Sequence, residues 1–293
     1  AIISLTQLGL NVQLKVSIIL TVVFCTGIIR SFAGPSANSM IPAIVPKINL
    51  PKAISYNSST WLISSITGHA FGGLLIAGFG ISNAYVVTAV SILIAILFAL
   101  KLKPKPPSLT NTKEDVFTSI KQGFSYVYNN KNLLGVISLD LFAVLFGGAV
   151  AFIPEVAEKI LRTGPIGYGF LNAAMDLGSL VSILILLWFP MKKKQGLKMI
   201  LSVAGFGICI VAFGFAKVYW LSFIALAIAG FFDGVSVVIR GTIAQLQTPD
   251  ELRGRVASIN LIFINSSNEL GQFESGVTSK YMGTIPAIIF GGV

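Results

Sequence analysis

Eight apolar stretches, at residues 17–44, 53–80, 84–102, 133–156, 166–189, 197–216, 219–245 and 256–282, are each long enough to cross a bilayer as a helix. A hydrocarbon core of about 30 Å needs roughly 20 helical residues at a rise of 1.5 Å each. No water is present in that core to hydrogen-bond the backbone, so repeated runs of this length predict an all-α, polytopic membrane protein of about eight complete transmembrane helices. Only 11% of the side chains are charged, against about 25% in soluble domains, and the mean hydropathy is +0.84. Several spans exceed the minimum length and are rich in glycine, which suits tilted helices packed at small residues.

The formal charge of +10 follows a topology. Lys47 and Lys52, then Lys101, Lys103, Lys105, Lys113, Lys121 and Lys131, then Lys192, Lys193, Lys194 and Lys198, then Arg253 and Arg255 fall on one side of the predicted spans. Lys15, Lys159, Arg162, Lys217 and Lys280 fall on the other. Basic residues stay cytoplasmic in short loops, so the lysine-rich side faces the cytoplasm and anionic headgroups, and no continuous basic surface for nucleic acid is expected. Tyr219, Trp220 and Trp188 fall at span boundaries, where aromatic side chains sit at the membrane interface.

One connection is long. It opens on Lys103-Pro-Lys-Pro-Pro, which cannot be helical, and passes through the helix-capping run Thr112-Lys-Glu-Asp115. Val116, Phe117, Ile120, Phe124, Val127 and Tyr128 then give the spacing of an amphipathic helix on the inner membrane surface. Residues 1–102 are thus read as part of an N-terminal helical half, 103–132 as a cytoplasmic linker, and 133–293 as an incomplete C-terminal half. Both ends look like cut helices, with spans expected beyond Ala1 and Val293, and no stretch has a cleavable signal pattern.

Cys25 and Cys209, both in apolar runs, read as small core hydrophobes. A single histidine, no metal-ligand spacing, no nucleotide loop and no nucleophile beside a base exclude the common enzyme classes and call for no metal, catalytic residue or cofactor.

Polar residues inside spans carry the functional reading, because an ionised group at the bilayer centre costs roughly 2.5–3.5 kcal/mol and normally faces a cavity or a partner. Asp140, Asp176, Asp233, Glu269, Glu274, Arg30 and His69 are the candidates for proton coupling or substrate contact. Each also has a structural reading as a hydrogen-bonded or ion-paired helix-packing group. Asp233 and Arg240 share a helix face about 10 Å apart along the axis, too far for direct pairing. Asn265, Ser266, Ser267, Asn268, Glu269, Gln272, Glu274 and Ser275 crowd one span, which must line water or protein. Glu269 and Glu274 lie about 140° apart around it, and Glu269 is expected to be the deeper. Thr248, Pro249 and Glu251 read as a capping box, with Arg253 and Arg255 behind it on the cytoplasmic surface.

Two runs, Thr248-Pro-Asp-Glu-Leu-Arg-Gly-Arg-Val-Ala-Ser-Ile-Asn260 and Ser267-Asn-Glu-Leu-Gly-Gln-Phe-Glu-Ser-Gly276, resemble the loop 10–11 and helix 11 region of major facilitator superfamily transporters, in the enterobactin-exporter and macrolide-efflux branch. Asp233-Gly-Val-Ser-Val-Val-Ile-Arg240 is similar to that branch's helix 10, and Asp140 sits where it often has an acid in helix 7. The chain then corresponds to helices 4–11 of twelve. Departures are also visible: Gly68-His-Ala-Phe-Gly-Gly73 has His69 where drug antiporters carry a helix-5 proline, and Arg30-Ser-Phe-Ala-Gly34 has Ala33 for a glutamine.

The resemblance implies a secondary transporter in a bacterial cytoplasmic membrane, monomeric, exporting a siderophore, macrolide or other amphipathic small molecule by alternating access, coupled to protons. An importer of a small solute and a non-transporting sensor or scaffold are the alternatives. It also implies a cytoplasmic gate in the loop of Asp250, Glu251, Arg253 and Arg255, and Arg240, close to the cytoplasmic end of its span, is a further candidate for gate or neighbouring-helix contacts.

Overall fold

The computed structural model describes residues 12–101, 116–189, 191 and 194–293, and all regular structure among them is helical. We number the main helices α1 (Val12–Ile44), α2 (Leu50–Ala99), α3 (Val116–Asn129), α4 (Lys131–Phe146), α5 (Gly164–Trp188), α6 (Gln195–Phe215), α7 (Tyr219–Gln247), α8 (Arg253–Met282) and α9 (Thr284–Gly292). Among the described residues, every predicted span falls on one of these helices or its direct continuation. Five stretches, Ser59–Ala99, Lys131–Ile160, Gly164–Trp188, Gln195–Phe215 and Tyr219–Gln247, are both long and apolar enough to cross a membrane. With 30 residues, α8 has the length for a further crossing, but it carries the polar cluster of 265–275.

Two expected spans, 53–80 and 84–102, run on as the single helix α2. The break between them is one residue long: Gly80 adopts φ 79°, ψ 164°, which is outside the helical region and open to glycine without a Cβ penalty. The linker prolines, the expected cap at 112–115 and the first residues of the chain lie outside the described residues.

The chain divides into two compact units, one of Ala1–Ser64 with Leu74–Thr112, the other of Ser65–Gly73 with Lys113–Val293. In the first, α2 exposes Trp61, Phe79, Leu93 and Phe98, an all-round apolar surface suited to lipid. Cys25 is exposed on α1, so it is a surface thiol rather than a core residue; Cys209 is buried.

The second unit is organised by close backbone approach. A Cβ on Gly178 would overlap the Ala227 carbonyl, one on Gly230 the Met175 carbonyl, and one on Gly234 the Ser182 hydroxyl. Glycine at these positions lets α5 and α7 lie against each other, and Ser179 Oγ donates to the Gly230 carbonyl across the seam at 2.8 Å. Three apolar clusters stack along the bundle. One gathers Phe152, Val156, Leu171, Ile210, Phe213, Leu226 and Ile288, the next Val136, Leu186, Met199, Val235, Ile239 and Ile243, and the last Val127, Leu133, Ile137, Val256 and Ile259.

The last cluster ties α3 to the bundle. Its packed face places Gly123 against Arg255 and buries Val127, while Ile120, Phe124 and Tyr128 point outward. Tyr126 donates to the Gln247 carbonyl, and Arg255 donates to Gln122. Asn130 caps α4 by accepting from the Leu133 amide at 3.1 Å.

The capping box expected at 248–251 does not form. A 3-10 turn, Asp250–Leu252, precedes α8, whose first residue is Arg253, and the Thr248 hydroxyl is buried without a hydrogen-bond partner among the described residues. The tight turn carries the chain from α7 into α8 and leaves Thr248 too far back to cap.

Candidate functional site

Packing at small residues brings the acids together. Gly73 of α2 and Gly169 of α5 meet backbone to backbone, so the side chains one turn from Gly73 and two turns from Gly169 face one another. His69 Nδ1 lies 2.8 Å from Asp176 Oδ2, and Ser65 Oγ donates to the same oxygen at 2.7 Å. A carboxylate accepting two such bonds is held in one orientation.

Asp176 opens onto a cavity of about 250 Å³. Its wall takes His69 from α2, Val144 from α4, Gly147, Gly148 and Val150 from the break that follows, Asn172, Met175, Asp176 and Ser179 from α5, Phe206 from α6, Asp233 from α7, and Asn268 and Gln272 from α8. Asp233 is half-buried and opens into this space. Histidine and two carboxylates on one wall, with amides and a serine around them, can bind and exchange protons or hold a ligand through charge and hydrogen bonds. A larger cleft of about 740 Å³, lined among others by Phe142, Phe146, Val203, Ile208 and Phe290, carries no titratable side chain among the described residues.

Asp140 sits elsewhere. It is buried on α4 and forms an ion pair with Arg240 of α7, each side chain being 8% accessible. Arg240 is two turns beyond Asp233 on the same face, so the pair lies about 10 Å along α7 from the cavity. This pairing separates Asp140 from the other two acids and joins a coupling candidate to a gate candidate.

On α8 the expected depth order is reversed, because Ser267, Gly271 and Ser275, spaced by four, form the buried face. Glu274 adjoins that face and is half-buried; Glu269 is two residues from Gly271, on the far side, and is exposed. Most of the polar cluster is exposed with it, and only Asn268 and Gln272 reach the cavity. Glu251 and Arg253 are exposed, and Arg255 is half-buried at α3. The side chains of Arg30 and Asp250 lie outside the described residues.

Ser65, Asn172, Ser179 and Phe206 are among the lining or supporting residues that sequence reasoning missed. A sign of the middle two was present: Asn172, Asp176 and Ser179 repeat at i, i+4 and i+7, a polar stripe down one face of an otherwise apolar helix.

The chain matches, over residues 1–293, a family described as transmembrane secretion effector. Enterobactin exporters EntS from Escherichia coli O81 (strain ED1a) and from Shigella boydii serotype 18 are 27% identical over 230 residues, which cover 78% of this chain and 55% of each exporter. The chain therefore spans about half the length of these curated relatives. A solved structure of a bacterial homolog of the human lysosomal transporter Spinster superposes with a TM-score of 0.57 at 18% identity, covering 84% of this chain and 60% of that one. The helical membrane architecture, the match along the whole chain and the shared fold together make this protein a member of the transmembrane secretion effector family, with the major facilitator fold and the exporter-branch resemblance read from residues 233–276.

Proposed function

We propose that this chain forms part of a secondary exporter that moves an amphipathic small molecule out of the cell across the cytoplasmic membrane by alternating access, in exchange for protons. The observation that carries the proposal is the convergence of Asp233 and the His69–Asp176 pair on one cavity inside the helical bundle. Acids inside a membrane bundle normally serve a pathway or a partner, and Asp233 has no hydrogen-bond partner among the described residues. The exporter names of the relatives support the direction of transport. Asp140 and Arg240 act as a structural clasp beside the pathway, and 103–132 joins two helical halves. The protein works as a monomer.

The test is efflux from proteoliposomes containing the full-length protein, driven by an imposed pH gradient. Asp233→Asn and Asp176→Asn are expected to abolish gradient-driven efflux. Undiminished efflux in both variants refutes the assignment.

A further inference from the structure

We infer that the cavity selects cationic amphiphiles, ligands with a quaternary or protonated amine on an apolar body; this rests on the cavity being the substrate site proposed above. Its described lining holds two carboxylates and one imidazole, and no lysine or arginine. The two acids are not equivalent. Asp176 Oδ2 already accepts from Ser65 and lies within hydrogen-bond distance of His69, so its charge has partners within the protein. Asp233 has none among the described residues, although it is half-buried in the wall of the same cavity. A carboxylate removed from water without a donor or a counter-charge is costly, and a ligand cation supplies the missing charge.

The rest of the wall suits the same ligand. Phe206 offers an aromatic ring and Met175 a polarizable thioether, the surfaces that accept an alkylated ammonium without hydrogen bonds. Asn172 spends one of its two amide N–H groups on the Tyr168 carbonyl, and its carbonyl oxygen remains an acceptor available to the cavity. An anionic ligand meets two carboxylates here and no fixed cation. The structure thus favours amine-bearing substrates over anionic ones.

Three small probes separate charge from shape: phenyltrimethylammonium, its uncharged isostere tert-butylbenzene, and the anion benzenesulfonate. Each is titrated by equilibrium binding into the full-length protein in nanodiscs. The cation is expected to bind at least about tenfold tighter than the isostere, as one charge pair in a partly dry site requires, with benzenesulfonate weakest. Asp233→Asn should reduce the cation to the affinity of the isostere. Phe206→Leu, which keeps an apolar side chain, should weaken the cation more than the isostere and serves if the Asp233 variant does not fold. Equal binding of all three probes, tightest binding of the anion, or an unchanged charge preference in either variant overturns the inference. Loss of cation preference with Asp233-dependent efflux retained refutes only the ligand class, whereas loss of that dependence refutes the transport proposal.

Discussion

Replacing Arg240 with methionine removes the charge that faces Asp140 while keeping most of the apolar volume. Both partners are 8% accessible, so neither can recruit bulk water when the other is lost. Breaking a buried pair from one side costs about 3–5 kcal/mol, whereas replacing both partners with apolar groups is often neutral or better. Arg240→Met and Asp140→Leu should therefore each destabilise the bundle by about 3–5 kcal/mol, a shift of two to more than three powers of ten in the unfolding equilibrium. The double variant should recover most of the loss. A double-mutant cycle measured by unfolding in mixed detergent micelles reads the coupling directly. Single variants within about 0.5 kcal/mol of wild type, or a double variant whose loss is the sum of the two, would refute a buried clasp between α4 and α7.

The seam between α5 and α7 should be equally specific: Gly178→Leu places a side chain where the Ala227 carbonyl lies, and a loss of about 1–3 kcal/mol is expected in thermal melting. Removing the bonds that hold α3, with Tyr126→Phe and Arg255→Gln together, should speed amide exchange over 116–129 by roughly tenfold or more, given about 1–3 kcal/mol for such bonds; unchanged exchange would show that apolar packing alone holds the helix. Because Glu269 is exposed, Glu269→Gln should leave efflux within about twofold of wild type, as expected for a surface substitution. A complete loss in that variant would place the pathway on the opposite face of α8.

The helices were legible because each span has to be apolar along its whole length, and that demand is local. The break at Gly80 was legible only as a weakening of the pattern, since the helical period runs through it on both sides. Which acids meet was not legible. Asp140 and Asp233 look alike in sequence, each a lone acid in an apolar helix. Their surroundings are decided by the glycines: Gly73 against Gly169 brings His69 to Asp176, and the α5–α7 seam sets the position of α7, on which Asp233 faces the cavity and Arg240 meets Asp140. The order of Glu269 and Glu274 was misjudged for a related reason. Small residues at 267, 271 and 275, not the acids, decide which side of α8 packs. At Thr248 local capping propensity was overridden by the 3-10 turn from α7 into α8.

Proton coupling at Asp233 is tested most directly by following substrate and protons together. Proteoliposomes of the full-length protein are loaded with a pH-sensitive dye and given an outward gradient of a macrolide, a siderophore or a cationic amphiphile. Wild-type protein should show substrate release accompanied by proton movement the other way. In Asp233→Asn, proton movement should vanish while any residual substrate release runs only down its own gradient. Substrate-driven proton movement of undiminished size in that variant would contradict the claim that this acid carries the exchange.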